Sequence, residues 1–235
     1  MSQGVYQTLD TISSSDKYNT WIYNSFKDHL KGTVLDIGSG LGDIVKHYSG
    51  SNIDKVILSD YSTDMTDNLN RIFADNKFFS TVQMDIQGND FYEILSSTSV
   101  DTITCINVLE HLKYDLASLV NMHRLLKKDG KLILLVPAFQ WLYGSLDKLV
   151  DHHRRYSKES LSAVLARSKF KVDEFKFINF FGIITWFISG KVLKHKEFNK
   201  DACKKLDKIV PYLERFESIF HPPIGQSLIA ICSKT

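Results

Sequence analysis

Residues 34–43, VLDIGSGLGD, decide the fold of this chain. The first four form a short apolar run typical of a buried strand, and three glycines spaced two apart follow at once. A second strand-like run, residues 56–59, leads into Asp60, 18 residues after Gly42. Glycines let the backbone turn tightly and approach a ligand, and a carboxylate at this distance can accept both hydroxyl hydrogens of a ribose. The pattern predicts a nucleotide-type cofactor site at the carboxyl end of a parallel sheet.

The bulk composition is that of an ordinary globular protein. With 235 residues, the chain is long enough for one large α/β domain. A net charge of +2 gives no general attraction to nucleic acid, so no nucleic-acid partner is predicted. The three cysteines are far apart and form no CxxC pair, which favours a reducing, cytoplasmic compartment. No signal peptide is visible, and the longest apolar run, residues 177–188, is shorter than the roughly 20 residues of a membrane span.

Strand-like and helix-like segments alternate along the chain, which predicts right-handed crossovers and a largely parallel sheet. A helical insertion, residues 179–225, precedes the last strand, and Pro211 is expected to break its second helix. We expect the insertion to pack on the core, so residues 1–235 are predicted to form one domain. The predicted strands are 33–37, 55–59, 80–84, 101–106, 131–136, 171–178 and 226–233; the predicted helices are 16–30, 42–48, 62–74, 115–127, 158–168, 180–193 and 201–220.

Five further segments follow the glycine motif in a fixed order. They are MDI at 84–86, NVLEHL at 107–112, LLKKDGKLILLVP at 125–137, HRRY at 153–156 and GQSLIA at 225–230. Together with the glycines and Asp60, they resemble class I S-adenosylmethionine-dependent methyltransferases over almost the whole chain. The resemblance is closest to a bacterial branch with a His-Arg-Arg-Tyr segment after strand five.

The resemblance implies a Rossmann-like sheet of seven mostly parallel strands, an antiparallel last strand and helices on both faces. It also implies S-adenosylmethionine as cofactor, S-adenosylhomocysteine as product, and a helical lid at residues 1–32. Asp36 would hold the glycine loop or the methionyl amine, Asp60 the ribose, and Asp85 the adenine amino group. The candidate cofactor-binding residues are Tyr18, Asp36, Gly38, Ser39, Gly40, Gly42, Asp60, Tyr61, Met65, Asp85, Ile86, Asn107 and Val108.

Several of these residues have a plainer alternative, which the sequence leaves open. Asp60 could simply open a turn, and Asp85 could cap a helix. Glu110 and His111 could form a solvated helix start, and Tyr18 could be a core aromatic.

A basic segment, DHHRRY at 151–156, follows strand five on the side where open α/β sheets bind ligands. The arginine fork matches a carboxylate or phosphate, so an anionic acceptor is predicted, unless the arginines pair with nearby acids or lie in a solvated loop. The candidate acceptor-binding residues are Glu110, Tyr143, Arg154, Arg155 and Tyr156.

The acceptor decides whether a base is needed. A carboxylate is already ionised at neutral pH, so we predict O-methylation of a carboxylate on a small metabolite or peptide terminus, as in natural product biosynthesis, giving a methyl ester. The alternatives are a sugar or phenolic hydroxyl, and the amine of an amino sugar or small molecule. Either would need a base, with His111 first and His152 or His153 second. A non-catalytic cofactor-binding protein and an NAD-dependent dehydrogenase are more distant alternatives.

No histidine or cysteine spacing indicates a metal site, so none is predicted, although acids that converge on folding could still bind Mg²⁺. The aromatic insertion is expected to be a buried helix or a wall of the acceptor pocket. A dimer face or contact with a membrane surface, and hence a lipid-linked acceptor, are its other interpretations. The sequence is compatible with a monomer or a homodimer.

Overall fold

A seven-stranded sheet organises the chain. The computed structural model describes residues 15–88, 99–195 and 200–235, with side chains from residue 205 in the last range. The strand order is β3-β2-β1-β4-β5-β7-β6, and β7 runs in the opposite direction to the other six strands. This confirms the predicted Rossmann-like architecture. The strands are β1 (Gly32–Ile37), β2 (Ile53–Asp60), β3 (Phe79–Gln83), β4 (Val100–Ile106), β5 (Leu126–Pro137), β6 (Phe170–Ile178) and β7 (Ser227–Lys234).

Helices cover both faces of this sheet because alternate strand residues point to opposite sides. Leu35 and Leu132 belong to one buried cluster, whereas Val34 and Ile133 belong to the other. The helices are α1 (Asp16–Asn24), α2 (Thr63–Ile72), α3 (Asp115–Leu125), α4 (Ser145–Leu149), α5 (Lys158–Arg167), α6 (Phe180–Phe187) and α7 (Lys200–Phe220). Short 3₁₀ turns occupy Lys27–His29, Val45–His47, Leu109–His111 and Gln140–Leu142, and a π-helix occupies Ile188–Val192.

Local capping chemistry is confirmed at α5. The Ser157 hydroxyl accepts a hydrogen bond from the Ser160 backbone N–H at 3.2 Å, and the Ser160 hydroxyl accepts one from the Ser157 N–H at 2.9 Å. Two backbone N–H groups that lack a partner within the helix are thereby hydrogen-bonded, and the helix starts where the sequence predicts.

The helix predicted over residues 42–48 is wrong, because only the 3₁₀ turn Val45–His47 forms there. Tyr48 leaves the turn in an extended conformation and lies in the core. Its hydroxyl donates to Asp36 Oδ1 at 3.2 Å, which holds Tyr48 against β1. The glycine loop is therefore not followed by a long helix whose dipole could face an anion.

Pro211 does not break the second insertion helix, because α7 runs through it. Contacts on both sides of the proline hold α7 in place. Asp207 accepts a hydrogen bond from the Ser15 hydroxyl at 2.6 Å, and Glu217 accepts one from the backbone N–H of Asn179 at 3.0 Å. Tertiary bonds can outweigh the hydrogen bond that a proline removes.

Two other predicted helices end early. The first ends at Asn24 and gives way to the turn Lys27–His29. The helix after Asp115 ends at Leu125, and β5 begins at the next residue. Asp129, within β5, has a positive φ of 63°.

The N-terminal helix lies close to the glycine loop. Asp16 in the first turn of α1 pairs with Lys46 at 2.8 Å, and α1 packs along α7. The single domain, the lid at 1–32 and the insertion at 179–225 remain predictions, and residues 1–14 lie outside the described range. Among the described residues, no helix combines the length and apolar character needed to span a membrane.

Candidate functional site

The glycine loop forms a tight turn between β1 and the 3₁₀ turn Val45–His47. Gly38, Gly40 and Gly42 all have positive φ, at 72°, 55° and 84°. The N–H groups of Gly38 and Ser39 both donate to the Ser59 carbonyl, at 2.8 and 2.9 Å, which ties the loop to β2. A Cβ on Gly40 would meet no heavy atom within 4 Å. The loop therefore presents an open backbone face on which a cofactor can lie.

Asp60 closes one side of this loop. It is almost fully buried, its Oδ2 accepts from the Gly40 N–H at 3.1 Å, and its Oδ1 accepts from the Ser62 N–H at 3.0 Å. Burial raises the pKa of Asp60, and the hydrogen bonds from these two N–H groups oppose that rise. Each oxygen keeps a further lone pair, so the carboxylate can also accept the two hydroxyls of a ribose.

Asp36 is tied to the loop beneath the glycines. Its Oδ1 accepts hydrogen bonds from Thr104 at 2.6 Å and from Tyr48, and its Oδ2 accepts from the Ser39 hydroxyl at 2.7 Å. Burial raises the pKa of Asp36 to about 6, although these hydrogen bonds act to lower it. Of the two predicted roles, the observed contacts are those of a residue that holds the loop.

Gly38→Ala is expected to destabilise the fold by about 1–3 kcal/mol, since the new Cβ would lie 2.5 Å from Val108 Cγ2 in addition to the strain at φ 72°. Gly40→Ala, which meets open space, is the matched control that carries backbone strain alone. Urea unfolding measures both, and Val108→Ala in the Gly38→Ala background should recover part of the loss. Equal losses for the two glycine variants would contradict the predicted clash.

The remaining predicted cofactor residues lie in different settings. Asp85 is exposed, and its Oδ1 accepts from the Gln87 N–H at 2.9 Å, which closes a local turn directly after β3. Tyr61 is 54% exposed beside Asp60, whereas Met65 is fully buried in the core. Ile86 is buried, and its carbonyl accepts from Asn121 at 2.8 Å.

The last three predicted cofactor residues lie directly after β4 and in α1. Val108 touches Gly38, and Asn107 is exposed with φ 54°. Tyr18 lies beside Asn179, directly after β6, with 3.4 Å between the Asn179 amide nitrogen and the Tyr18 hydroxyl. It also packs edge-on against Trp21, as a core aromatic would.

A second cluster of polar side chains lies beyond β4 and β5. Glu110 and His111 stand in the turn directly after β4, and the His153 N–H donates to the Glu110 carbonyl at 2.9 Å. This bond brings the segment that follows β5 back over β4. His152 Nε2 lies 3.7 Å from Glu110 Oε1, and the rings of His111 and His152 meet edge to face at 4.7 Å.

Asp147, which sequence reasoning missed, organises this cluster. Its Oδ1 accepts from Arg155 Nε at 2.7 Å and from His152 Nδ1 at 2.9 Å. Its Oδ2 accepts from the Gly144 N–H at 2.9 Å and from Trp186 Nε1 at 3.1 Å. In the sequence, Asp147 is an acid that lies five residues before His152, and this spacing is too common to indicate a site.

The buried charges differ in their protonation. Burial raises the pKa of Glu110 to about 7, although the charge of His152 acts to lower it. Burial also lowers the pKa of His111 to about 4, so its ring is neutral at pH 7. Burial acts to raise the pKa of Asp147, but the His152 hydrogen bond and the Arg155 charge hold it below its ordinary value. Neither carboxylate oxygen of Glu110 has a hydrogen-bond partner among the described residues.

The two arginines of the basic segment already have protein partners. Arg155 is buried and pairs with Asp147, and its Nη1 donates to the Ala138 carbonyl at 3.0 Å. Arg154 pairs with Asp115 at 2.7 Å, and the same carboxylate oxygen accepts from the Tyr156 hydroxyl at 2.9 Å. The alternative that the arginines pair with nearby acids is therefore the observed arrangement.

Tyr143 and His153 lie at the edge of the cluster. The Tyr143 hydroxyl donates to the His152 carbonyl at 2.7 Å, which fixes the backbone of the catalytic candidate. The His153 side chain is exposed. Within the described ranges, one group of side chains has the geometry to hold a metal ion, namely Glu110, His111 and His152, with ligand atoms within 4.8 Å of one another.

The segment that carries His152 lies close enough to Tyr61, the residue after Asp60, for charges on the segment to affect it. Burial raises the pKa of Tyr61, and the charges of Asp60, Asp151 and Asp85 raise it further. Asp151 directly precedes His152, so the segment after β5 lies near Tyr61. The glycine loop and the buried cluster thus lie along the same carboxyl edge of the sheet.

Comparisons with known proteins agree with this geometry. The model of a family described as a methyltransferase domain matches residues 19–174. The uncharacterized protein MJ0638 of Methanocaldococcus jannaschii is 29% identical over 197 residues, which are 80% of this chain and 75% of that protein. Two solved structures share the fold. The N-methyltransferase NodS of Bradyrhizobium japonicum, in complex with S-adenosylhomocysteine, has a TM-score of 0.57 and 12% identity, covering 92% of this chain and 84% of its own. A SAM-dependent methyltransferase of Archaeoglobus fulgidus has a TM-score of 0.56 and 18% identity, with 93% and 92% covered.

Proposed function

The chain belongs to the methyltransferase domain family, and from this premise we propose that it methylates a hydroxyl oxygen of a small acceptor with His152 as the base. It is an enzyme that transfers a methyl group, and its methyl donor is S-adenosylmethionine. The observation that carries the proposal is the buried Asp147–His152–Glu110 arrangement at the carboxyl edge of the sheet.

The residues of the glycine loop fit this donor. The open backbone at Gly40 would admit the cofactor, and Asp60 beside it would accept hydrogen bonds from the ribose hydroxyls. Asp36 holds the loop in place through its contact with the Ser39 hydroxyl. When bound, the cofactor supplies an electrophilic methyl group on a sulfonium.

His152 is oriented to accept a proton. An ionised carboxylate can only accept hydrogen bonds, so the contact with Asp147 Oδ1 places the ring proton on Nδ1 and leaves the lone pair on Nε2. In the proposed step, Nε2 takes the proton of the acceptor O–H while the new O–C bond forms and the C–S bond breaks. In its ionised form, the neighbouring Glu110 carboxylate stabilises the imidazolium that results.

This assignment changes the predicted order of the candidate bases. The low pKa of His111 makes it a weak proton acceptor, and His153 is exposed outside the cluster. The carboxylate acceptor was predicted from Arg154 and Arg155, and both guanidinium groups are engaged by Asp115 and Asp147. The cluster thus offers a base, His152, but no free guanidinium to bind an anionic acceptor. This combination favours a hydroxyl acceptor, such as a sugar or a phenolic natural product.

Product chemistry tests this proposal. The chain would be incubated with methyl-labelled S-adenosylmethionine and panels of hydroxyl, carboxylate and amine acceptors, with and without EDTA. We expect an ether product that survives mild alkali, formed at the same rate with EDTA. Methanol release in mild alkali would identify a methyl ester and overturn the hydroxyl assignment, as would a product methylated on nitrogen. Loss of rate with EDTA, restored by a divalent metal, would contradict the role of His152 as a metal-free base.

Glu110→Gln is expected to stabilise the fold at pH 8 more than at pH 5. Because the folded pKa of about 7 exceeds the ordinary 4.5, the contribution of Glu110 to stability is complete below pH 4.5 and is lost as pH rises through 7. The loss amounts to about 3 kcal/mol at most, and a neutral glutamine avoids it. Urea unfolding at both pH values measures the difference, with the exposed Glu174→Gln as matched control. The same gain at pH 5 and pH 8 would contradict an ionisation effect.

A further inference from the structure

A large apolar surface lies on the insertion. Its members, 45% to 75% exposed, are Ile184 in α6, Ile188 in the π-helix, and Ile209, Tyr212, Ile219 and Phe220 in α7. We name these six residues the apolar face. The four α7 residues recur at helical spacing along one side of that helix.

The two helices form one continuous surface. A groove of about 250 Å³ runs between them, lined by Phe181 and Ile184 from α6 and by Leu206 and Ile209 from α7. The rings of Phe181 and Phe216 meet across it at 5.7 Å. An exposed apolar surface that spans two helices is unusual for a protein that meets only water.

The acidic and basic side chains of the same helices differ in their surroundings. Within residues 180–195 and 205–221, the three acids bond to protein partners. Asp207 accepts from the Ser15 hydroxyl, Glu214 from the Asn24 amide at 3.2 Å, and Glu217 from the Phe180 N–H at 2.7 Å. The five lysines and arginines of these ranges are exposed, and they are Lys191, Lys194, Lys205, Lys208 and Arg215. Apolar groups with a cationic surround complement an anionic, lipid-like surface.

The apolar face lies next to the acceptor side. Trp186 of α6 donates to Asp147 Oδ2 at 3.1 Å, and the Arg155 guanidinium lies over its ring at 4.8 Å. The same helix presents Ile184 to the exterior. Trp141, 53% exposed, meets the ring of Phe187 at 6.2 Å. One side of α6 thus supports the buried cluster, and the other belongs to the exposed face.

We propose that the apolar face docks on the surface of an anionic lipid bilayer and holds the acceptor side against it. α6 and α7 would lie in the interface with their lysines and Arg215 among the headgroups. A two-fold contact between copies of the chain is less favourable, because it would place the exposed lysines and Arg215 of one copy against those of the other.

Vesicle sedimentation of the full chain tests this inference without any methyl transfer. The vesicles are phosphatidylcholine alone, or phosphatidylcholine with about 30 mol% phosphatidylglycerol, a content that gives a strong negative surface potential. We expect at least about tenfold stronger partitioning to the anionic vesicles, weakened by high salt. Ile219→Glu with Phe220→Glu should lower it at least about tenfold, whereas Ile72→Glu, at 55% exposure on α2, should leave it unchanged.

Any of three results would overturn the docking. The first is no binding to anionic vesicles, and the second is binding that the double variant leaves unaltered. The third is a dimer in size-exclusion chromatography with light scattering that the double variant converts to monomer, which would make the face a contact between copies. S-adenosylhomocysteine binding measured on the same variants separates this failure from a failure of the proposed methyl transfer, since neither surface residue touches the glycine loop.

Discussion

Replacing His152 by glutamine is expected to lower kcat for the hydroxyl acceptor by about 10²- to 10⁴-fold, the range that a positioned general base contributes. Glutamine is similar in size and can still donate to Asp147, but it cannot take up a proton at neutral pH. The affinity for S-adenosylhomocysteine is expected to stay within twofold of wild type, because His152 lies outside the glycine loop. Initial rates over pH 5 to 9 with the acceptor from the product screen, together with calorimetry, measure both.

His123→Gln is the matched control for this substitution. His123 lies on α3 and contacts the Thr235 carbonyl at 3.4 Å rather than a member of the Asp147–His152–Glu110 cluster, so its replacement should leave kcat within about twofold. Two results would contradict the assignment of His152. One is a kcat of the His152 variant that stays within about twofold of wild type. The other is an equal loss in His153→Gln, which would move the base to the exposed neighbour.

Replacing Asp60 by alanine is expected to weaken binding of S-adenosylhomocysteine by about 100-fold. Two ribose hydroxyls donating to a buried carboxylate contribute about 1.5 kcal/mol each, and the sum of about 3 kcal/mol corresponds to roughly that factor. The substitution also removes the acceptor for the Gly40 and Ser62 N–H groups, so the loop loses part of its support. Isothermal titration of the ligand into each variant measures the effect.

Asp67→Ala is the control for charge and helix effects, because Asp67 is exposed on α2, the helix that follows Asp60. It should bind the ligand within about twofold of wild type. Thermal unfolding of both variants shows whether the loop remains folded. If a folded Asp60→Ala variant binds within threefold of wild type, Asp60 is not the ribose acceptor, and the cofactor site must be reassigned.

Local sequence predicted the regular elements well wherever the pattern involves neighbouring residues only. The strand run before Gly38, the cap at Ser157 and the acid at the end of β2 all lie where the sequence predicts them. It failed where a distant contact decides. Tyr48 leaves the predicted helix to reach Asp36, and α7 continues through Pro211 because Asp207 and Glu217 bond to distant residues.

The chain by itself determined the sheet, the glycine loop and the pairing of that loop with Asp60, because hydrophobic period, glycine spacing and strand length are properties of short segments. Only the tertiary structure decided the acceptor side. Arg154 and Arg155 look like an anion-binding pair in the sequence, yet folding places each beside an acid that lies more than five residues away along the chain. Asp147, His152 and Glu110 meet only because β5 and its returning segment lie across the exit of β4. Pairing between charged side chains depends on distance in space rather than along the chain, so no local pattern could reveal which groups remain available to a substrate.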